Sequence, residues 1–329
     1  MKRSFVVPII EKVAKDMGVE VYIEPWGYAG TLVLQGGGKR YFRGASFDLN
    51  TLGASEIAKD KDYAAYFLKR LGYPVPEGKT FFAPKWAAVL GSERTADAAC
   101  AYAESLGWPV IVKPNSRSQG RGVAKAWNEK ELRQAIEEIE VYENVYLVQC
   151  VARGRDYRIV VLDGEVISAY ERRPLCVVGD GVLTVAELLT EKQKQFVQGG
   201  RDTIVPTEDF RIDNTLAQQG LTLESVLEKG KEVELLPNAN LSSGGDAFDV
   251  TDVLHQEWHT LAARIAHDAN LRYIGIDIMT EAPLSDAPNE YIILEINSAP
   301  GLDNYATLGD AQRGRVEAMY KKVVEAMMK

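Results

Sequence analysis

Hydrophobic and polar positions along the chain alternate between helical and strand spacing. Residues 8–16 read as a helix, and 19–23 and 31–34 as strands bounded by glycine. Gly36-Gly37-Gly38 reads as a tight turn, a place that needs glycine's conformational freedom. From about residue 60 to 71 a helical stripe returns through Ala64, Phe67, Leu68 and Leu71; Gly72 stops it, and Pro74 and Pro76 prevent its continuation. Residues 96–106 and 129–140 read as further helices, the second with a charged outer face. Residues 109–113 and 145–149 read as strands, and a polar glycine loop fills 115–122. Two β-rich runs, 157–162 and 165–172, flank Asp163-Gly164, the signature of a two-residue hairpin. The segment 177–236 is polar and mixed, with helices expected near 184–195 and 222–229, and reads as an insertion or flap. An apolar helix at 258–269, strands at 273–280 and 291–297 joined by a polar loop over 281–290, and a final helix near 312–328 complete an α/β (α+β) chain.

Composition narrows the class. At 329 residues the chain is long enough for about two domains or one multi-lobed enzyme, and 46% hydrophobic residues suit a large packed core. Lys and Arg number 38 against 47 Asp and Glu, a formal charge of −9. That balance argues against nucleic acid as the main partner, because phosphate backbones need a basic footprint; it leaves room for a small anion in a local basic pocket. Cys100, Cys150 and Cys176 are too few and too far apart for a CxxC site and read as free thiols of a reducing compartment. Lys2 and Arg3 precede an apolar run that Glu11 and Lys12 end too early for a secretory signal, and no stretch reaches the ~18 apolar residues of a membrane span. The expectation is a cytoplasmic protein with no membrane partner.

The sharpest chemistry lies near the C-terminus. Glu295 and Asn297 are two apart on a strand and so share a face. Asp277 sits between Ile276 and Ile278, where a carboxylate is costly unless it meets a cation. Pairing of the two strands would gather three oxygen ligands, a hard set that suits Mg²⁺. Lys113-Pro114, followed by Asn-Ser-Arg-Ser-Gln-Gly-Arg-Gly, ends a buried strand with a loop of small residues, which suits phosphate. It is neither a Walker loop nor a Rossmann fingerprint. Lys61, at a helix start, reads from the residues alone as a solvated surface lysine. His255 and His259 are spaced as on metalloprotease helices, but the glutamate between them is misplaced for HExxH and the only other histidine is His267, so no zinc site is expected.

These pieces in this order resemble the ATP-grasp superfamily. The landmarks are Asp60-Lys61, Val112-Lys113-Pro114 with its loop, Gly154 to Arg158, Glu171-Arg172, Asn240 with Gly244-Gly245, Gly275-Ile-Asp277 and Glu295-Ile-Asn297-Ser-Ala-Pro300-Gly301. Val178-Gly-Asp-Gly181, Thr184 to Leu188, and Asp249-Val-Thr-Asp252 with His255 are similar to the ATP-grasp module of cyanophycin synthetases and, next, of fused bifunctional glutathione synthetases. Cyanophycin synthetases carry a further Mur-ligase-like module; the chain ends soon after the ATP-grasp motifs, so a stand-alone ligase is expected. The resemblance implies an ATP-grasp fold with a small N-terminal α/β lobe (1–55), a central lobe (56–145) and a C-terminal lobe (146–329) carrying an insertion at about 177–240, the last two clasping ATP.

The resemblance also implies roles. Lys61 and Lys113 would bind the phosphates, and Ser116, Ser118, Gly120 and Gly122 would fold over them. Gln149 and Val151 would meet adenine at a hinge, and Asp156 the ribose. Asp277, Glu295 and Asn297 would hold two Mg²⁺, with Mn²⁺ as a substitute. Arg158 and Arg172 would face the transferring phosphoryl group, and Asn240, Gly244, Gly245 and Gly301 the substrates. The hinge here is Gln149-Cys150, where the family often has Glu followed by Lys or Arg. An ideal hairpin would also pair residue 158 with 169 and send Arg158 and Arg172 to opposite faces, so a bulge or separate roles would be needed. The expected chemistry is ATP-dependent amide formation through an acyl phosphate, on amino acids or short peptides, and a homo-oligomeric assembly is compatible with it. The alternatives are a glutathione-like or peptide-tailoring ligase, a stage in cyanophycin-like polymer metabolism, a non-catalytic ATP-binding regulator, and a dinucleotide oxidoreductase.

Overall fold

The computed structural model describes residues 4–198, 201, 203–306 and 309–329; Lys2 and Arg3 lie outside them. The helix Val6–Asp16 carries Pro8 in its first turn, where a missing N–H is tolerated, and buries Val7, Ile10 and Ala14. An antiparallel meander follows, Glu20–Ile23, Ala29–Val33, Lys39–Arg43 and Ser46–Phe47. Gly36 and Gly37 make its central turn at φ +98° and +88°. The last helix, Asp310–Met328, starts two residues ahead of expectation and returns to this core, packing Tyr320 and Val323 with Leu32 and Phe42.

A second sheet runs in the order Gly78–Phe82, Val145–Cys150, Val110–Pro114, Ala124–Ala126. Ala96–Leu106 and Glu129–Glu140 pack on it through Ala103, Leu132 and Ile136. Asn128 starts the second of these helices by accepting the Glu131 N–H.

The third sheet positions the chemistry. Its antiparallel order is Asp246–Asp249, Glu165–Arg173, Arg155–Leu162, Tyr273–Thr280, Tyr291–Asn297. Ile159, Val161, Ile274, Ile276 and Ile278 point to one core, shared with Trp258 and Ile265 of the helix Gln256–Asp268. Val160, Leu162 and Tyr273 point the other way, into the core of the N-terminal meander. Leu52–Lys59 and Lys61–Arg70 cover the first face. Only Ala64 and Leu68 of the expected stripe are buried there; Phe67 and Leu71 are 46% and 48% exposed. The helix lies close to the sheet through its small side chains, and Phe67 instead packs edge-on against Tyr66 at the surface. Leu68→Ala is accordingly expected to cost about 2–4 kcal/mol in urea unfolding, and Phe67→Ala less than about 1 kcal/mol.

The insertion has its own core. Cys176–Val178 pairs with Glu232–Glu234, and the helices Val185–Gln198 and Phe210–Gln218 enclose Leu189, Ile212, Leu216 and Val233. The second of these helices has no counterpart in the sequence reading, and the helix expected at 222–229 is absent. Gly220 and Gly230, at φ +69° and +84°, bracket that stretch. Its carbonyls at Leu223 and Ser225 accept the N–H groups of Ala186 and Val185, capping the first helix instead of building another. All three cysteines are free thiols.

Candidate active site

The hairpin irregularity decides where the arginines point. Val166 faces Val161 and Ser168 faces Val160, so Ile167 is an extra residue in the strand. Beyond this bulge Arg158 faces Tyr170 and Arg172 faces Asp156. The ideal register that separated Arg158 from Arg172 is thereby corrected, and both emerge on one face. Arg158 is also opposite Asp277, and Asp277 opposite Glu295, so one row crosses the sheet; Gly275 opposite Asn297 forms the neighbouring row. Asp277, Glu295 and Asn297 thus meet on one face, and Asn297 donates to Glu295 Oε1 at 3.4 Å.

Asp277 is 2% exposed and held by two cations. Arg158 grips it with Nε to Oδ1 at 2.6 Å and Nη2 to Oδ2 at 2.7 Å. Arg172 Nη2 lies 3.0 Å from Oδ2 and also bonds Asp156 Oδ1 at 2.6 Å. Burial alone would push the Asp277 carboxyl up; Arg158 and Arg172 outweigh it and hold the group well below the usual carboxylate range. Asp156 goes the other way: burial, with Asp277 nearby, raises it against the pull of Arg172. Arg158 donates one hydrogen bond to each oxygen of Asp277, and the Arg172 guanidinium adds its charge beside Oδ2. With Glu295 and the Asn297 amide this is an all-oxygen set, which fits Mg²⁺. Among the described residues no group of three or more His, Cys, Asp or Glu side chains could hold a metal, so any ion here takes further ligands from water or phosphate.

Two lysines face this row. Lys113, next to last in its strand, is 7% exposed, and burial, with Lys61 close by, brings its ammonium down to about 8 despite the pull of Glu295. Lys61 is only 12% exposed, with Nζ 3.8 Å from Glu295 Oε2 and donating to the Arg117 carbonyl, which corrects its reading as a surface lysine. The cause is a pair of residues the sequence reading did not single out as chemistry. Asp60 caps the helix by accepting the Tyr63 N–H at 2.9 Å and also accepts Asn115 Nδ2 at 2.6 Å, while Asn115 Oδ1 accepts the Asp62 N–H at 3.1 Å. This handshake locks the start of the helix to the residue after Lys113-Pro114. An aspartate immediately before a helical stripe was the available signal.

A cavity of about 470 Å³ lies between these groups. Lys61, Lys113, Ser118, Gly120, Gln149, Val151, Asp156, Arg172, Asn240, Asp277 and Glu295 line it, and Ile111, Val123, Met279 and Leu294 add apolar walls that the sequence did not reveal. A second, polar cavity of about 510 Å³ shares Ser118, Arg172, Asn240 and Glu295 with it and adds Arg43, Arg158, Asn297 and Gly301. Four expected site residues line neither cavity. Ser116 is exposed at the loop's start; a side chain at Gly122 would collide with the Tyr142 hydroxyl; Gly244 packs on Leu175; and Gly245 lies against the carbonyls of Arg173 and Ala239. These glycines shape backbone.

Residues 67–179 match the family model described as the D-ala D-ala ligase C-terminus. The chain is 33% identical over 261 residues to the cyanophycin synthetase of Crocosphaera subtropica, covering 75% of this chain and 28% of that protein. The chain belongs to the ATP-grasp superfamily. The glutathione biosynthesis bifunctional protein of Desulfotalea psychrophila is 30% identical over 243 residues, covering 71% of this ATP-grasp chain and 30% of that protein. The chain therefore spans less than a third of the length of these curated relatives. The bifunctional glutathione synthetase of Pasteurella multocida shares the fold, with a TM-score of 0.58 over 98% of this chain and 44% of that one at 22% identity.

Proposed function

We propose that this chain is an ATP-dependent carboxylate–amine ligase that works through an acyl phosphate and releases ADP and phosphate. The observation that carries the reading is the convergence of Lys61 and Lys113 with Asp277 and Glu295 on a single cavity. In this reading the triphosphate lies between the lysines and the carboxylates, the base rests on the apolar walls near Gln149 and Val151, and the adjoining cavity takes the acid and the amine. Mg²⁺, two ions with Mn²⁺ as a substitute, would be held by Asp277, Glu295 and Asn297 and would supply charge neutralisation to the phosphate oxygens. The lobes at 1–55, 56–145 and 146–329 and a cytoplasmic setting belong to the same reading; no described helix is long and apolar enough to cross a membrane.

A carboxylate resists amines because its leaving group would be oxide. Transfer of the γ-phosphoryl group removes that obstacle: a carboxylate oxygen bonds to phosphorus, the bond to the β-phosphate oxygen breaks, and ADP departs. A neutral amine then attacks the acyl carbon, the C–O bond to phosphate breaks, and the proton lost by nitrogen passes to water. Arg158 and Arg172, already pinned by Asp277 and Asp156, would offer fixed positive charge to the moving phosphoryl group without reorganising. No protein nucleophile is required. The glycine loop and the insertion would exclude water from the activated acid.

The names of the relatives, a cyanophycin synthetase and a glutathione-forming protein, favour amino acids or short peptides as substrates. Hydroxylamine trapping tests the scheme: a panel of amino acids and dipeptides with MgATP is expected to give a hydroxamate and an equal amount of ADP for the right acid. AMP formed together with the hydroxamate would overturn the acyl-phosphate route.

A further inference from the structure

The glycine loop meets the insertion through its backbone carbonyls. Arg211, on the insertion helix Phe210–Gln218, donates Nη1 to the carbonyl oxygens of Gly120 at 3.3 Å and Val123 at 3.1 Å. Asp209 holds that guanidinium with contacts of 2.9, 3.1 and 2.6 Å and accepts the Arg211 backbone N–H at 3.0 Å. The Arg211 and Asp209 side chains are only 16% and 12% exposed. Ser242 and Ser243 reach the same loop, donating to the Gln119 carbonyl at 2.9 and 3.4 Å. Phe210, between Asp209 and Arg211, packs against the core of the central lobe and fixes the start of the helix there.

Three loop carbonyls, at 119, 120 and 123, are therefore tied from the insertion. In a trans peptide the following N–H lies opposite the carbonyl, so binding the Gln119 carbonyl turns the Gly120 N–H away from Ser242. Gln119 itself sits at φ +62°, a conformation that a residue with a side chain adopts only when its surroundings hold it there. A glycine-rich loop free in solution samples many shapes, and fixing it before the ligand arrives raises affinity.

We propose that Arg211 is a positioning residue for the nucleotide: from the insertion it holds residues 119–123 in their phosphate-binding shape. The insertion on this view governs nucleotide affinity through the loop. This rests on the MgATP reading above, and the test separates the two. Calorimetry with MgATP is expected to show binding by the wild type, weakened about 10- to 50-fold in Arg211→Ala by the loss of preorganisation. Hydrogen exchange in the nucleotide-free variant is expected to rise at the amides of 116–123 and to stay unchanged in Tyr273–Thr280. Arg211→Lys recovers part of the affinity, since an ammonium reaches the carbonyls but lacks the planar fork that Asp209 holds. The double variant S242A/S243A moves both readouts the same way by less, and serves if Arg211→Ala does not fold. A purely architectural role would raise exchange across the whole insertion and central lobe. Wild-type MgATP affinity and wild-type loop exchange in Arg211→Ala would overturn the proposal. A wild type that binds no MgATP would sink the ligase reading, while loop exchange in the nucleotide-free protein would still decide the clamp.

Discussion

Asp277→Asn removes ATP turnover by a factor of about 10³ or more and unfolds at a markedly lower urea concentration than the wild type. The two losses have one source. The carboxylate lies between Arg158 and Arg172, which are 14% and 5% exposed. Its replacement by an amide leaves two buried guanidinium groups facing an N–H donor, with Asp156 and the more distant Glu295 the carboxylates left within 4.0 Å among the described residues. Breaking a buried ion pair by removing one partner costs about 3–5 kcal/mol. Glu295→Gln provides the contrast. Glu295 is 24% exposed and its cationic neighbours stand at 3.8 and 4.0 Å, so its loss costs at most about 1 kcal/mol in stability. Its effect on turnover is still expected to reach about 10²–10³, the usual loss when one preorganised charge is removed. The sign of the acid response follows from the depressed Asp277 group. Its contribution to stability is complete above the ordinary carboxylate value of 3.8 and is lost as pH falls toward its lower folded value. Urea midpoints followed downward from about pH 4 should fall for the wild type and show a shallower decline for Asp277→Asn.

Lys113→Met gives the opposite sign for stability and the same sign for activity. Burial lowers the Lys113 ammonium from its ordinary 10.5 to about 8, so the folded protein carries an unfavourable charge at neutral pH. At about 1.4 kcal/mol per pH unit that cost is about 3 kcal/mol. Methionine fills similar space without charge, and a gain of about 1–3 kcal/mol in unfolding free energy is expected at pH 7. The wild type should itself gain stability as pH rises from about 8 toward 10.5, because the unfolded chain then holds a proton that the folded one has released. Above that range the two proteins should converge. Turnover in Lys113→Met should fall about 10²–10³-fold through loss of a charge facing the triphosphate. A protein that becomes more stable on losing a buried cation, and inactive at the same time, is the mark of a residue kept for chemistry.

Much of this was legible in the sequence because alternation is a hard constraint. Asp277 flanked by two isoleucines and Glu295 two residues from Asn297 fix the faces of two strands, and the short loop between them brings those faces together. Asp163-Gly164 located the hairpin in the same way. Arg158 and Arg172 resisted the same logic because a single extra residue, Ile167, inverts the parity of everything after it, and nothing about Val166-Ile167-Ser168 marks a bulge. Lys61 was ambiguous for a related reason: its burial depends on Asn115, 54 residues away, meeting Asp60. The stripe through Phe67 and Leu71 misled because a helix that packs closely through Ala64 and Leu68 needs no larger side chains on that face. Residues 222–229 had helical composition, but their carbonyls serve a neighbouring helix, a tertiary effect with no local signature.

The central claim is that the acid is activated by taking the γ-phosphoryl group directly. The most direct measurement uses the carboxylic acid identified by hydroxamate trapping, labelled with ¹⁸O in both carboxyl oxygens, and follows the label by mass spectrometry through one round of amide formation. The account expects one labelled oxygen in each phosphate released and none in the nucleotide. Label in AMP, or amide formed alongside wholly unlabelled phosphate, would contradict it.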